Sequence, residues 1–251
     1  MHDIVIRNGE VVDGTGEGPA PADVAIDGDR ITEVGTGVGA GRREIDASGR
    51  IVTPGFVDIH THLDAQLFWD EAASPSCYHG VTTVVLGNCG VTFAPVRPGG
   101  ERYLAGIMEA VEDIPTDTIM DGLDWGWETY GDYLKALNGL SLGVNVGGMI
   151  GHSALRYYAM GPRSLAEEPA TAEDIRAMAA VLAEAMDNGA LGFSTSRSFM
   201  HTLPDGTPVP GTFAAPEELG AFASVLATRG NGVIEVVPRI GERDGAEMRN
   251  S

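Results

Sequence analysis

Apolar and polar positions alternate through the first fifty residues. Ile4 and Ile6 have polar neighbours, and Val11-Val12 leads into Asp13-Gly14. Val24 and Ile26 precede the Asp27-Gly28 turn, and Ile31 and Val34 follow it. Asp-Gly between alternating segments is a hairpin signature. Glu44-Ile45-Asp46, leading to Gly49, adds a further extended segment, so residues 1–50 predict a small β module.

The texture changes at Ile51. The apolar run 51–59 predicts a strand buried on both faces, as in a parallel sheet. Further strands are predicted at 81–86, at 142–150, around Leu191 and Phe193, and at 233–237. Helical patterns lie between them at 103–111 and 130–137. In another, Thr171 caps a helix carrying Ile175, Met178, Ala179, Leu182 and Met186 and ending near Gly189. Pro216-Glu217-Glu218 opens a last one, with Leu219, Phe222 and Leu226 on one face and Gly230 as its stop. Repeated strand–helix units predict an α/β fold, most simply a (β/α) barrel over residues 51–251. Such a barrel takes about 250 residues, and each strand–helix unit about thirty. Five strands are used by Val237 and 14 residues remain, with no closing strand among them. The expectation is an incomplete TIM-type barrel, the N-terminal part of a longer protein, with a sheet edge left open.

Charge narrows the partners. Lys and Arg number 16 and Asp and Glu 36, a formal charge of −20. That argues against nucleic acid and against docking on anionic lipid. With 43% hydrophobic and 21% charged residues the composition is globular. The apolar stretches are too short for a membrane span, and the first residues do not read as a signal peptide. Two cysteines, Cys77 and Cys89, make no disulfide framework, so a cytoplasmic setting is expected.

The sharpest chemical feature is Gly55-Phe56-Val57-Asp58-Ile59-His60-Thr61-His62. Residues two apart on a strand share a face, so His60 and His62 point the same way at the strand's end. In a parallel barrel that end is the active face, and two converging imidazoles make a pair of metal ligands rather than ordinary polar residues at a strand–loop junction. Cys89 closes the second strand on the same face. As a thiolate it would complete an N/N/S set suited to Zn²⁺; the plainer reading is a small buried hydrophobe. Cys77 reads as packing.

These residues resemble a known family. Pro-Gly-Phe-Val-Asp-Ile-His-Thr-His, followed by His79-Gly80-Val81-Thr82-Thr83, is similar to the amidohydrolase superfamily. Gly87-Asn88-Cys89-Gly90, Gly151-His152-Ser153-Ala154-Leu155-Arg156 and Gly189-Ala190-Leu191-Gly192-Phe193-Ser194-Thr195 are similar to the D-aminoacylases, the N-acyl-D-amino-acid deacylases. The resemblance implies a β-sandwich beside a distorted metal barrel, with His60, His62 and Cys89 matching metal ligands for one or two zinc ions. It also implies later ligands and a general-base aspartate beyond Ser251, so that residues 1–251 alone have negligible turnover. Many related enzymes bridge two metals with a carboxylated lysine on the fourth strand. Here the chain's only lysine is Lys135, in a helical stretch, which leaves a cysteine bridge or a single metal.

One position departs from the pattern. Where the family carries His-x-Arg after strand five, this chain has Val237-Pro238-Arg239. Glu235 shares the face of Val237 and either substitutes as an oxygen ligand or pairs with Arg239, the pairing being favoured. His152, Arg156 and Arg197 are candidates for holding a small-molecule substrate, the arginines through its carboxylate. Asp64 is a candidate for orienting His62. Residues 196–213, with His201 and three prolines, form a long loop of the kind that makes lids. The function expected is hydrolysis of the amide of an N-acyl-D-amino acid. The alternatives are a cyclic-amide hydrolase or deaminase on the same barrel, or a non-catalytic scaffold.

Overall fold

The computed structural model describes residues 1–166 and 168–239, in two compact units, Met1–Phe56 and Val57–Ser251. The expectation that no closing strand follows Val237 bears on residues 240–251 and lies outside the described residues.

The first unit holds β1 (His2–Val11), β2 (Ala20–Asp27), β3 (Arg30–Gly35), β4 (Gly41–Asp46) and β5 (Ile51–Val52). They form one sheet in the order β3-β2-β1-β4, with β5 also paired to β1. β1 runs antiparallel to β2 and parallel to β4. Val5 faces Ala25 in this register, and with Val38 they form the unit's buried cluster. Arg7 on β1 ties its neighbours β2 and β4 together through Asp23 and Glu44 and donates to the carbonyl of Val38.

The run 51–59 does not form one buried strand. Ile51–Val52 pairs with β1, and a second short strand, β6 (Phe56–Asp58), follows after Thr53-Pro54-Gly55. Pro54 has no N–H to give to a ladder, which breaks the run. Ile51, Phe56, Val57 and Ile59 are exposed rather than enclosed.

The second unit is α/β. Its strands are β6, β7 (Val81–Leu86), β8 (Asn145–Gly148), β9 (Ile150–Gly151), β10 (Gly192–Ser196) and β11 (Val233–Val237). Its helices are α1 (Glu101–Glu112), α2 (Thr116–Gly122), α3 (Tyr130–Asn138), α4 (His152–Met160), α5 (Ala172–Asp187) and α6 (Pro216–Arg229). The strands are ordered β6-β7-β8 and β9-β10-β11, with β7–β8, β9–β10 and β10–β11 parallel. The predicted third strand is thus split at Met149. Its first half pairs with β7 and its second with β10, while Met149 N–H still donates to Leu86 O and Leu191 N–H to Gly148 O. Leu86, Phe93, Ile107, Tyr133, Ile150, Phe193 and Phe222 are fully buried in the core between strands and helices.

Local sequence explains the helix ends. Thr171 caps α5 by accepting from Asp174 N–H, and the Asp174 carboxylate returns a bond to Thr171 N–H, a complete capping box. Gly230, at φ +67°, closes α6 in the left-handed conformation that glycine adopts readily. Replacing Thr171 with alanine is expected to destabilise the protein by about 1 kcal/mol, read as a lowered thermal midpoint.

Candidate metal centre

His60 and His62 lie just beyond β6 and Cys89 just beyond β7. Two residues pin these segments together. Thr61 donates N–H and Oγ1 to Val85 O, and Asn88 Nδ2 donates to Thr61 O and Val85 O. Cys89 takes φ +57° between Gly87 at +71° and Gly90 at +76°. A Cβ on Gly87 would stand 2.0 Å from Met149 O, so this turn needs glycine for close approach as well as for its dihedral angle. Gly90 N–H donates to Ser194 Oγ at 3.0 Å, and the Ser194 hydroxyl donates to Gly87 O. The Cys89 turn is thereby held by β10.

His60 Nε2 lies 3.1 Å from Cys89 Sγ, and one ligating atom from each of His60, His62 and Cys89 falls within 4.8 Å of the others. The imidazoles stand edge to face, with centroids 5.5 Å apart. With Zn–N near 2.0–2.1 Å and Zn–S near 2.3 Å, tetrahedral donors around one ion sit about 3.3–3.6 Å apart, close to the His60–Cys89 separation, and the third donor is near enough to close in on a shared ion. His62 Nδ1 is buried without a hydrogen-bond partner, as a donor atom kept for a cation would be. Burial, then the charges of His60 and His201, lowers the His62 pKa to about 4, so the ring is neutral and its lone pair available at pH 7. Burial, reinforced by the charges of Glu235 and Glu112, pushes the Cys89 thiol up to about 12, so a cation must displace its proton. The donors and their spacing fit a divalent ion of the zinc type.

Asp64 is fully buried, and its Oδ2 accepts a long 3.4 Å bond from Gly87 N–H. Burial raises its pKa to about 7. It makes no hydrogen bond to His62 among the described residues.

Glu235 departs from the favoured pairing with Arg239. Its carboxylate accepts from Cys89 N–H at 2.9 Å, and no ion pair joins it to Arg239 among the described residues. The turn at Cys89 presents a backbone donor on the β11 side, and that donor captures the carboxylate.

His152 opens α4 directly after β9, and it is completely buried. Its Nδ1 meets Thr195 Oγ1 at 2.8 Å and its Nε2 meets Glu218 Oε1 at 2.7 Å. Arg156 donates Nη1 to Glu218 Oε2 at 2.6 Å and Nη2 to Glu168 O at 2.9 Å. Both side chains thus serve Glu218 at the start of α6, apart from the His60–His62–Cys89 cluster. Arg197, beyond β10, is half-buried and donates to Ala214 O. Burial, followed by the charge of Arg239, lowers its pKa.

Two further groups act on the cluster electrostatically. Glu112, at the end of α1, acts electrostatically on Cys89, and it is itself influenced by His60. His201 bears on His62, and its Nδ1 is buried and unpartnered. It starts a small hairpin in the 196–213 loop, in which Thr202 bridges Pro208 and Val209 N–H donates to His201 O.

Residues 43–250 match the model of the Amidohydrolase family. A D-aminoacylase of Alcaligenes xylosoxydans xylosoxydans is 37% identical over 194 residues, 77% of this chain and 37% of that protein. A solved D-aminoacylase, described with a binuclear metal centre, superimposes with a TM-score of 0.74 at 34% identity, covering 93% of this chain and 44% of that one. The N-acyl-D-glutamate deacylase of Bordetella bronchiseptica, solved with zinc and a phosphonate mimic of the tetrahedral intermediate, gives a TM-score of 0.73 at 30% identity, covering 94% and 44%. The chain spans about 40% of the length of the curated relatives it matches. No helix among the described residues is long and apolar enough to cross a membrane.

Proposed function

The chain belongs to the amidohydrolase family, and from that membership we propose that the whole protein hydrolyses the amide of N-acyl-D-amino acids, releasing a carboxylate and the free D-amino acid. The convergence of His60, His62 and Cys89 on one point carries this reading. These three residues would hold one or two zinc ions. A bound divalent ion supplies Lewis acidity at the scissile carbonyl and acidifies water towards a pKa of about 7.

The chain's own residues prepare that site. Neutral His62 presents a lone pair, and the glycine-flanked turn brings the Cys89 sulfur up to His60. Arg197 offers positive charge without a protein carboxylate bound to it among the described residues, which suits the carboxylate of the substrate. His152 and Arg156 serve this site through Glu218, by fixing the start of α6 against α4 and β10. The group that takes a proton from water and passes it to the leaving amine is an aspartate outside residues 1–251. On this reading residues 51–251 contribute part of a TIM-type barrel, residues 1–50 part of a β-sandwich, and the setting is cytoplasmic.

The test is an amine-release assay of the zinc-loaded whole protein on N-acetyl-D-methionine, N-acetyl-L-methionine, hydantoin and cytosine. Turnover of the D-acyl substrate alone is expected. Turnover confined to hydantoin or cytosine would overturn the proposal.

A further inference from the structure

Cys89 poses a geometric problem of its own. It is a non-glycine residue at φ +57°, a conformation that L-residues hold only when their surroundings impose it. Its sulfur is nearly buried, and its backbone N–H points away from β7 towards β11. A buried N–H needs an acceptor. The acceptor here is a carboxylate 146 residues away, Glu235 Oε2 at 2.9 Å, and ionised acceptors give the shorter and stronger bonds.

Glu235 occupies a distinct setting. With His60 and Asn88 it is one of three polar residues around a cavity of about 320 Å³ otherwise lined by apolar side chains. On β11 it shares a face with Val237, the position at which the resemblance leads one to expect a histidine. The carboxylate is absent from the set of three atoms within 4.8 Å of one another, and its recorded bond is to the backbone beside one of them.

We infer that Glu235 is a positioning residue of the metal centre: by holding Cys89 N–H it fixes the turn that aims the Cys89 sulfur at His60. This rests on the reading of His60, His62 and Cys89 as metal ligands. β10 grips the same turn through Ser194 on Gly90 N–H, so the sulfur is placed by two strands at once. A side chain of glutamate length is required. Aspartate, one methylene shorter, does not reach, whereas glutamine reaches and still offers a carbonyl oxygen.

The experiment loads the whole protein with Co²⁺ and records the thiolate-to-cobalt charge-transfer band, with affinity measured by competition against a chelator. The proteins are wild type, Glu235→Gln, Glu235→Asp, Glu235→Ala and Cys89→Ala. Wild type is expected to show the band and Cys89→Ala to lack it. Glu235→Gln should keep the band near its wild-type position, and Glu235→Asp and Glu235→Ala should weaken or shift it and lose about 10- to 100-fold in affinity, the usual effect of removing a group that orients a ligand. If Glu235→Ala fails to fold, as judged by circular dichroism, the Gln and Asp variants decide. Wild-type bands and affinity in both Asp and Ala variants would overturn the inference while leaving the ligand reading intact. Loss of metal in Glu235→Gln as severe as in Glu235→Ala would overturn it in favour of direct carboxylate ligation. A wild-type protein without the band, or with one that survives Cys89→Ala, would overturn the ligand reading and the inference with it.

Discussion

Replacing Cys89 with alanine is expected to abolish stoichiometric zinc binding, with affinity falling by more than the ~100-fold that loss of a group outside the ligand set can produce. The sulfur lies 3.1 Å from His60 Nε2 and is the soft donor of the cluster. Without it this cluster keeps two imidazoles and loses its thiolate. The metal-free fold should barely notice: the side chain is small, and its removal costs about 1 kcal/mol or less in lost apolar burial. Zinc content after dialysis, beside a melting curve of the metal-free protein, separates the two effects. His60→Ala should behave in the same way. Because burial first, and then neighbouring carboxylates, keep the Cys89 thiol protonated, zinc uptake should release a proton and weaken as pH falls. Full zinc occupancy in Cys89→Ala would remove the cysteine from the ligand set.

The largest loss of stability is expected from Glu218→Ala, about 3–5 kcal/mol, because it strands the buried Arg156 guanidinium without its counter-charge. Glu218 is 1% exposed and His152 0%. Burial pulls the Glu218 pKa upward, but the His152 hydrogen bond and the Arg156 charge outweigh it and hold the carboxylate below its ordinary 4.5. A depressed carboxylate adds stability that is complete above its unfolded value and lost as pH falls through its folded one. The difference between wild type and Glu218→Ala should therefore be complete at pH 7 and narrow below pH 4.5. Burial also lowers His152 from its ordinary 6.5, despite Glu218, so the folded ring is neutral and takes up a proton less readily than the unfolded chain. That contribution is complete above pH 6.5 and erodes as pH falls below it. Urea midpoints of both proteins at pH 7, 5.5 and 4 check these signs. Equal midpoints at pH 7 would contradict the role assigned to Glu218.

The histidine pair and the cysteine were legible in the sequence as candidates because each follows a strand end in a short motif, although the aim of the Cys89 sulfur depends on Ser194 and Glu235 far along the chain. The capped helix at Thr171 and the glycine stop at Gly230 were legible for the same local reason. Where tertiary contacts decide, the pattern fell short. The apolar run 51–59 could not show that Pro54 divides it into two short strands, nor could 142–150 show that its halves would pair with different strands across Met149. The Glu235 carboxylate had a nearby arginine in sequence, but the turn at Cys89 offers a backbone donor that no spacing along the chain reveals. Glu112 and His201 influence the cluster's charges from a helix end and a loop, with no periodicity to announce them.

The turn at Cys89 closes only when chain made long afterwards is in place: Ser194 clasps it from 104 positions downstream and Glu235 from 146. Contacts so distant in sequence form late, since closing large loops must precede their reward. A polypeptide still emerging from the ribosome therefore holds an adjacent imidazole pair but no aimed sulfur, and any ion it picks up exchanges freely. If these three residues hold an ion as proposed, its tight capture would wait for β10 and β11, and its retention would report that the far half of this segment has assembled.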